Sequence, residues 1–157
     1  MMPNTPVLHR FLMIGTIALT IATALNANIA HAQSNESSPI FHRNKCVDVS
    51  GKDQKSVILH ECHGLKNQQF YLQGQQIKNG NQCLDVAQEQ TQNGAKVIAY
   101  RCTGKSNQQW KIEGYHIRSL LNGKCLHADG TQLSMQECAY GQNKQYFIFP
   151  PHIDELY

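Results

Sequence analysis

The chain has 157 residues, with 14 Lys and Arg against 11 Asp and Glu, a formal net charge of +3 and six cysteines. That length fits one domain behind a short leader. The near-balanced charge, with no Lys/Arg cluster or basic stripe, argues against a nucleic-acid partner, and no acidic tail argues for a disordered arm.

The N-terminus reads as an export signal. A polar lead with His9 and Arg10 precedes an apolar run from Phe11 to Leu25, and Ala30-His31-Ala32 presents the small-x-small pattern that a signal peptidase cleaves. The expectation is a signal peptide over 1–32 and a mature chain from Gln33, which loses only Arg10 among its charges and so carries +2. The run falls short of the ~20 apolar residues of a spanning helix and has no stop-transfer flank, so no membrane span is expected after cleavage. Secretion, or a periplasmic location if the source is bacterial, follows. A polar leader over 33–39 is expected to stay loose, leaving 40–157 for a single domain that begins at Ile40.

All six cysteines lie beyond the signal, an even number in an exported chain, which reads as disulfides. Many connectivities are open. The sequential one is favoured, Cys46 with Cys62, Cys83 with Cys102 and Cys125 with Cys138, each bridge adding about 3 kcal/mol in the chain-entropy model. A metal site on His60, Cys62 and His63 is the competing reading. It is disfavoured because zinc sites use closely spaced cysteine pairs and every cysteine here has a better partner, so neither metal nor cofactor is expected.

The pairs mark a threefold internal repeat. Cys46-Val47-Asp48-Val49, Cys83-Leu84-Asp85-Val86 and Cys125-Leu126-His127-Ala128 align, as do Val57 to Cys62, Val97 to Cys102 and Leu133 to Cys138. Each unit ends in Gln68-Gln69-Phe70, Gln108-Gln109-Trp110 or Gln145-Tyr146-Phe147, and the period is about 40 residues. Between these anchors lie short apolar strands and turns such as Lys78-Asn79-Gly80-Asn81, Gln92-Asn93-Gly94 and Leu121-Asn122-Gly123-Lys124, with no sustained helical periodicity. After each unit the chain turns at Gln73-Gly74, Glu113-Gly114 or Pro150-Pro151. The last turn predicts that His152-Ile153 closes the ring against Ile40-Phe41, leaving no sheet edge. Strand side chains alternate between faces, so Leu84 and Val86 point one way and Asp85 the other, while Val97 and Ala99 oppose Ile98 and Tyr100.

Three units of Cys-apolar-Asp-apolar, an apolar strand and Gln-x-Trp or Gln-x-Phe resemble the ricin B-type lectin domain, from Ile40 to the C-terminus. The resemblance implies an all-β fold, the β-trefoil, with up to three sugar sites, one per repeat. It puts Phe70, Trp110 and Phe147 in the core. It also puts Asp85 at the sugar-coordinating carboxylate, Tyr100 at the stacking platform, and Asn107 with Gln108 at the closing amides, with Asp48, His60, Asn67 and Gln68 in the same roles in the first unit.

The chemistry suits those roles. An ionised carboxylate accepts two vicinal hydroxyls in charge-assisted bonds, Asn both donates and accepts, and an aromatic face covers the C–H-rich side of a pyranose, which galactose presents uninterrupted. Glycans of the galactose or GalNAc type are the expected partners. His60 is a smaller platform, and protonation below about pH 6.5 is expected to weaken that site further while the Tyr100 site holds. Ile58 and Ile98 stand where the family often has a contacting Gln. The third unit, with His127, Gln136 and Lys144 at the three places, is expected to have lost its site.

An enzyme is not expected. Glycoside hydrolysis needs two carboxylates flanking one bond, whereas Asp48 and Asp85 belong to separate repeats. The remaining alternative is a trefoil used for protein contact, such as a protease inhibitor or a toxin accessory subunit, acting through the loops Gly51 to Ser56 and Ala87 to Asn93. The lectin itself could stand free as an adhesin or target a separate toxin or hydrolase subunit.

Overall fold

The computed structural model describes residues 36–150. The expected signal peptide, the first part of the leader and the His152-Ile153 segment lie outside these residues. The ordered strands in chain order are β1 (Phe41–His42), β2 (Lys45–Val49), β3 (Val57–Glu61), β4 (Tyr71–Gln73), β5 (Gln76–Asn79), β6 (Gln82–Val86), β7 (Val97–Arg101), β8 (Trp110–Glu113), β9 (His116–Ser119), β10 (Cys125–Asp129) and β11 (Gln132–Gln136). The only helical elements among the described residues are 3-10 turns of three residues each. Among those residues, no helix is long and apolar enough to cross a membrane.

Each unit is built on one antiparallel hairpin, and the three hairpins share a register. Asp48 faces Ile58 across β2–β3, Asp85 faces Ile98 across β6–β7, and His127 faces Ser134 across β10–β11. Two-residue loops led by Gly74 and Gly114, both at φ +60°, join β4 to β5 and β8 to β9. A left-handed residue leading a two-residue loop matches the twist of the flanking strands, and glycine adopts it without a Cβ clash. The strands form a seven-stranded sheet, β1-β2-β3-β11-β10-β9-β8, and a four-stranded sheet, β4-β5-β6-β7. Bridges from Ser56 to Ile98 and from Lys96 to Ser134 tie neighbouring units together.

Strand parity decides what is inside. Val47, Val49, Val57 and Leu59 of the first hairpin, Leu84, Val86, Val97 and Ala99 of the second, and Leu126, Ala128, Leu133 and Met135 of the third enter one core with Phe70, Trp110 and Phe147. Those three rings are at most 1% exposed, as expected of residues that each bury a large apolar surface. The Trp110 indole N–H also donates to Leu84 O at 3.0 Å.

Two backbone contacts frame the described residues. The ladder starts at Ser38 rather than Ile40, because the Ser38 and Phe70 amides and carbonyls exchange bonds of 2.8 and 2.9 Å. The ring closes on Phe41 through Ile148, which exchanges two 2.8 Å backbone bonds with it. His42 Nδ1 reinforces the seam at 2.8 Å from Tyr146 O. The strand that holds the third aromatic therefore closes the ring itself.

The three disulfides are Cys46–Cys62, Cys83–Cys102 and Cys125–Cys138. By parity Cys46 shares the outer face of its strand with Asp48, and Cys83 with Asp85. Each bridge thus staples one end of an outward face.

Candidate functional site

In the second unit the outer face of the β6–β7 hairpin forms the floor of a cavity of about 300 Å3, lined by Lys55, Asp85, Gln88, Glu89, Ile98, Tyr100, Lys105 and Asn107. Asp85 is only 4% exposed and Asn107 6%, whereas Tyr100 is 44% exposed. A sunken carboxylate and a protruding ring thus share the outward face of one strand pair. Burial pushes the Asp85 carboxyl above the ordinary carboxylate value, while the amides of Gln108 and Asn107 pull it back toward ionisation. The Asn107 amide N–H donates to Val86 O at 3.3 Å, and its buried Oδ1 has no hydrogen-bond partner among the described residues. Buried acceptors are seldom left unmet, and this one has no surface open to the cavity.

The walls come from turns. Gln88 and Glu89 both hold left-handed backbone, at φ 56° and 55°, a conformation that strains residues other than glycine and that concentrates at binding sites. Glu89 pairs with Lys105 at 2.6 Å across the rim. Lys55 arrives from the first unit, carried by a loop in which Asp53 accepts the Lys55 and Ser56 amides at 3.0 and 2.9 Å. The Ser56 hydroxyl, followed by those two amides, draws the Asp53 carboxyl down to about 2. The Lys55 carbonyl in turn accepts the Ala99 amide at 2.8 Å.

In the first unit the matching cavity, about 340 Å3, is lined by Asp48, Ser50, Gly51, Lys52, Ile58, His60, His63 and Asn67. Asp48 is 3% exposed. Its Oδ2 accepts from Asn67 Nδ2 at 2.9 Å and Gln68 Nε2 at 2.8 Å, and His63 Nε2 lies 3.2 Å away.

Six of the eight expected sugar-contacting residues line these cavities, and the two glutamines do not. Gln68 and Gln108 are fully buried. Gln108 Nε2 donates to Asp85 Oδ2 at 2.8 Å and Arg101 O at 2.9 Å, while its Oε1 accepts the Thr103 amide at 2.6 Å. Gln68 repeats this with Asp48, Glu61 O and the His63 amide. These side chains sit behind the carboxylates and aim them, which corrects their expected role as closing amides. The signal was present in the sequence: Gln145 persists in the unit that lacks the Asp, where it bonds only backbone, at Glu137 O and the Ala139 amide. Residues that sequence reasoning missed are Lys55, Gln88, Glu89 and Lys105, which reach the cavity by tertiary routes, and His63 as a neighbour of Asp48.

In the third unit the corresponding places hold His127, Gln136 and Lys144. Lys144 pairs with Asp129 at 2.9 Å, and burial followed by the Lys144 charge lowers the pKa of His127. An imidazole stands in the place of the carboxylate and a lysine in that of the asparagine, which leaves this unit without the carboxylate–amide pair of the other two.

Fold and paired carboxylate clefts together define a β-trefoil of the lectin class. The sequence profile of the Ricin-type beta-trefoil lectin domain matches residues 37–147, and the chain belongs to that family. Among solved structures it is similar to the designed threefold-symmetric protein ThreeFoil, at 26% identity and a TM-score of 0.61 over 71% of this chain and 95% of that one. It is similar to the hemolytic lectin CEL-III, at 25% identity and 0.61 over 72% and 32%. It also shares the fold of an exo-beta-1,3-galactanase from Clostridium thermocellum, at 23% identity and 0.58 over 71% and 29%. The chain thus spans about a third or less of the last two proteins. Comparison with curated proteins finds no significant match.

Proposed function

We propose that this chain is an exported, non-catalytic lectin that binds galactose-type glycans through two clefts, Asp85, Tyr100 and Asn107 in the second unit and Asp48, His60 and Asn67 in the first. The observation that carries the reading is the shared cavity in which a buried carboxylate, an exposed tyrosine ring and the Asn107 side chain meet. The carboxylate takes a pair of hydroxyls and the ring takes the apolar face. Ile98 and Ile58, opposite the two carboxylates, give the floors an apolar strip in place of a hydrogen-bonding side chain. The preference is therefore set by the ring-stacked face and one pair of hydroxyls.

The loops that a protein-contact trefoil would use are committed to these cavities, with Gly51 and Lys52 lining the first and Lys55, Gln88 and Glu89 the second. That favours sugar over protein as the ligand. Individual sites of this kind bind with Kd on the order of millimolar, and two sites on one rigid body suit clustered glycans, as on a cell surface, through avidity. An adhesin and a targeting subunit both fit that behaviour. A glycan array probed with wild type and Asp85→Asn tests the reading. Binding to terminal galactose or GalNAc that drops in the variant is expected, and an array on which both proteins bind nothing would overturn it.

A further inference from the structure

The first cleft differs from the second in a way that sugar binding does not require. Asp48, His60 and His63 each offer a ligand atom, and the three atoms lie within 4.8 Å of one another. The metal arrangement considered from the sequence used Cys62, which is spent in its disulfide. Folding instead brings the strand carboxylate under the two imidazoles, whose ring centroids are 5.7 Å apart.

We infer that Asp48, His60 and His63 form a binding site for a borderline divalent transition metal, with zinc as its natural occupant, inside the first sugar cleft. Two imidazoles and one carboxylate are a donor set that suits zinc, whereas calcium and magnesium select all-oxygen cages. One negative charge from the donors leaves the bound ion with net positive charge, and three protein ligands leave a coordination position open toward the cleft. The outer shell is in place. His60 Nδ1 lies 3.3 Å from Glu61 O, so a proton there leaves Nε2 with its lone pair outward, the arrangement typical of metal-bound histidine. Asn67 and Gln68 fix the carboxylate through Oδ2, and Oδ1 accepts no hydrogen bond from the described residues.

His63 carries the cost. The Leu65 amide donates to His63 Nδ1 at 3.2 Å, which puts the imidazole proton on Nε2, facing Asp48. Metal binding at Nε2 moves that proton to Nδ1 and hands the exposed Leu65 amide to water. Turn formation does not explain a histidine here. In the second unit Thr103 fills the same place, and its hydroxyl accepts the Lys105 amide at 3.4 Å. Tyr100 stands where His60 does, so the second unit keeps the carboxylate but neither imidazole, and serves as an internal control.

Since Asp48 serves both ligands, zinc in the first cleft excludes sugar from it while leaving the second cleft unaffected. This consequence rests on the proposed sugar reading, whereas the metal site itself does not. The experiment is a calorimetric titration of the disulfide-bonded protein with zinc chloride, with no sugar present, paired with cobalt(II) absorption as a report on coordination. One zinc per chain is expected for wild type, with cobalt bands in the visible range.

His63→Thr and His60→Tyr copy residues that the second unit already accommodates, so both should fold. Each should lose more than the roughly 10–100-fold in affinity that removal of an outer-shell partner costs. The converse double change, Tyr100→His with Thr103→His, should raise the stoichiometry to two. Wild-type zinc binding no tighter than that of His63→Thr, or bound cobalt without coordination bands, would overturn the site. A protein that binds zinc as described but no glycan would retain the metal site and remove the lectin reading.

Discussion

At the scale of single residues, the carboxylate and the glutamine behind it have opposite effects on stability and function. Asp85 has its pKa raised by burial, so the folded state holds the proton more tightly than the unfolded chain does. Its protonated form therefore contributes stability below the unfolded pKa, and that contribution is lost as pH rises through the folded value. Asp85→Asn, which keeps an acceptor for Gln108, should leave the melting temperature at neutral pH unchanged or higher while abolishing sugar binding in the second cleft. The same shift moves the acid limit of that cleft above the ordinary carboxylate range, which tempers the expectation that the Tyr100 site holds on acidification. In an Asp48→Asn background, sugar titrations at falling pH should show affinity lost before pH reaches the unperturbed value of about 3.9.

The glutamines behave in the other sense. Gln108→Ala leaves the Arg101 carbonyl and the Thr103 amide unmet and should cost about 1–3 kcal/mol in denaturant unfolding, with weakened sugar binding following from a misdirected Asp85. Gln145→Ala removes the equivalent backbone ties and should cost a similar amount with sugar binding unchanged. A binding defect in Gln145→Ala as large as that in Gln108→Ala would contradict this division of roles.

At the scale of elements, the loop between β2 and β3 belongs to one unit and serves the next. Asp53 folds it by accepting two amides and the Ser56 hydroxyl, and the Lys55 carbonyl it presents captures the Ala99 amide in β7. The Asp53 pKa is depressed to about 2, so its contribution is present above the unfolded carboxylate pKa and is lost as pH falls through the folded value. Asp53→Ala should accelerate amide hydrogen exchange at Ala99 more than at Leu59, the corresponding position in the first hairpin, whose amide is held by Thr131 O. Equal exchange at Ala99 in variant and wild type would show that the loop stands without its carboxylate.

This element also marks where sequence reading stopped. Hairpin registers, core faces and cysteine pairs were legible because they follow from two-residue parity and from repetition, both local in the chain. Lys55 lining the neighbouring unit's cleft was not, since no pattern within a repeat records what crosses between repeats. His63 beside Asp48 depended on the turn at 62–65 folding back over the strand. The inward role of Gln68 and Gln108 was not legible within their own units, because an amide two residues before the aromatic can serve a ligand or the backbone equally well and only the fold shows it bonded to the carboxylate and backbone.

At the scale of the whole molecule, three aromatics and one closing seam hold the units as a single body. Trp110→Ala removes a fully buried ring and orphans the Leu84 carbonyl. The loss of about 3–5 kcal/mol expected for such a truncation is a large share of the roughly 5–15 kcal/mol that stabilises a domain. The variant should melt far below wild type, and any loss of sugar binding should track the unfolded fraction. Closure by Ile148 on Phe41 places the third unit against the start of the first.

The paired clefts are tested most directly by binding of the mature protein to a surface densely coated with galactose, comparing wild type, Asp48→Asn, Asp85→Asn and the double variant. The account predicts tight, slowly dissociating binding by wild type, weaker and faster-dissociating binding by each single variant as avidity is lost, and none by the double variant with its fold intact by circular dichroism. A folded double variant that binds like wild type would contradict it.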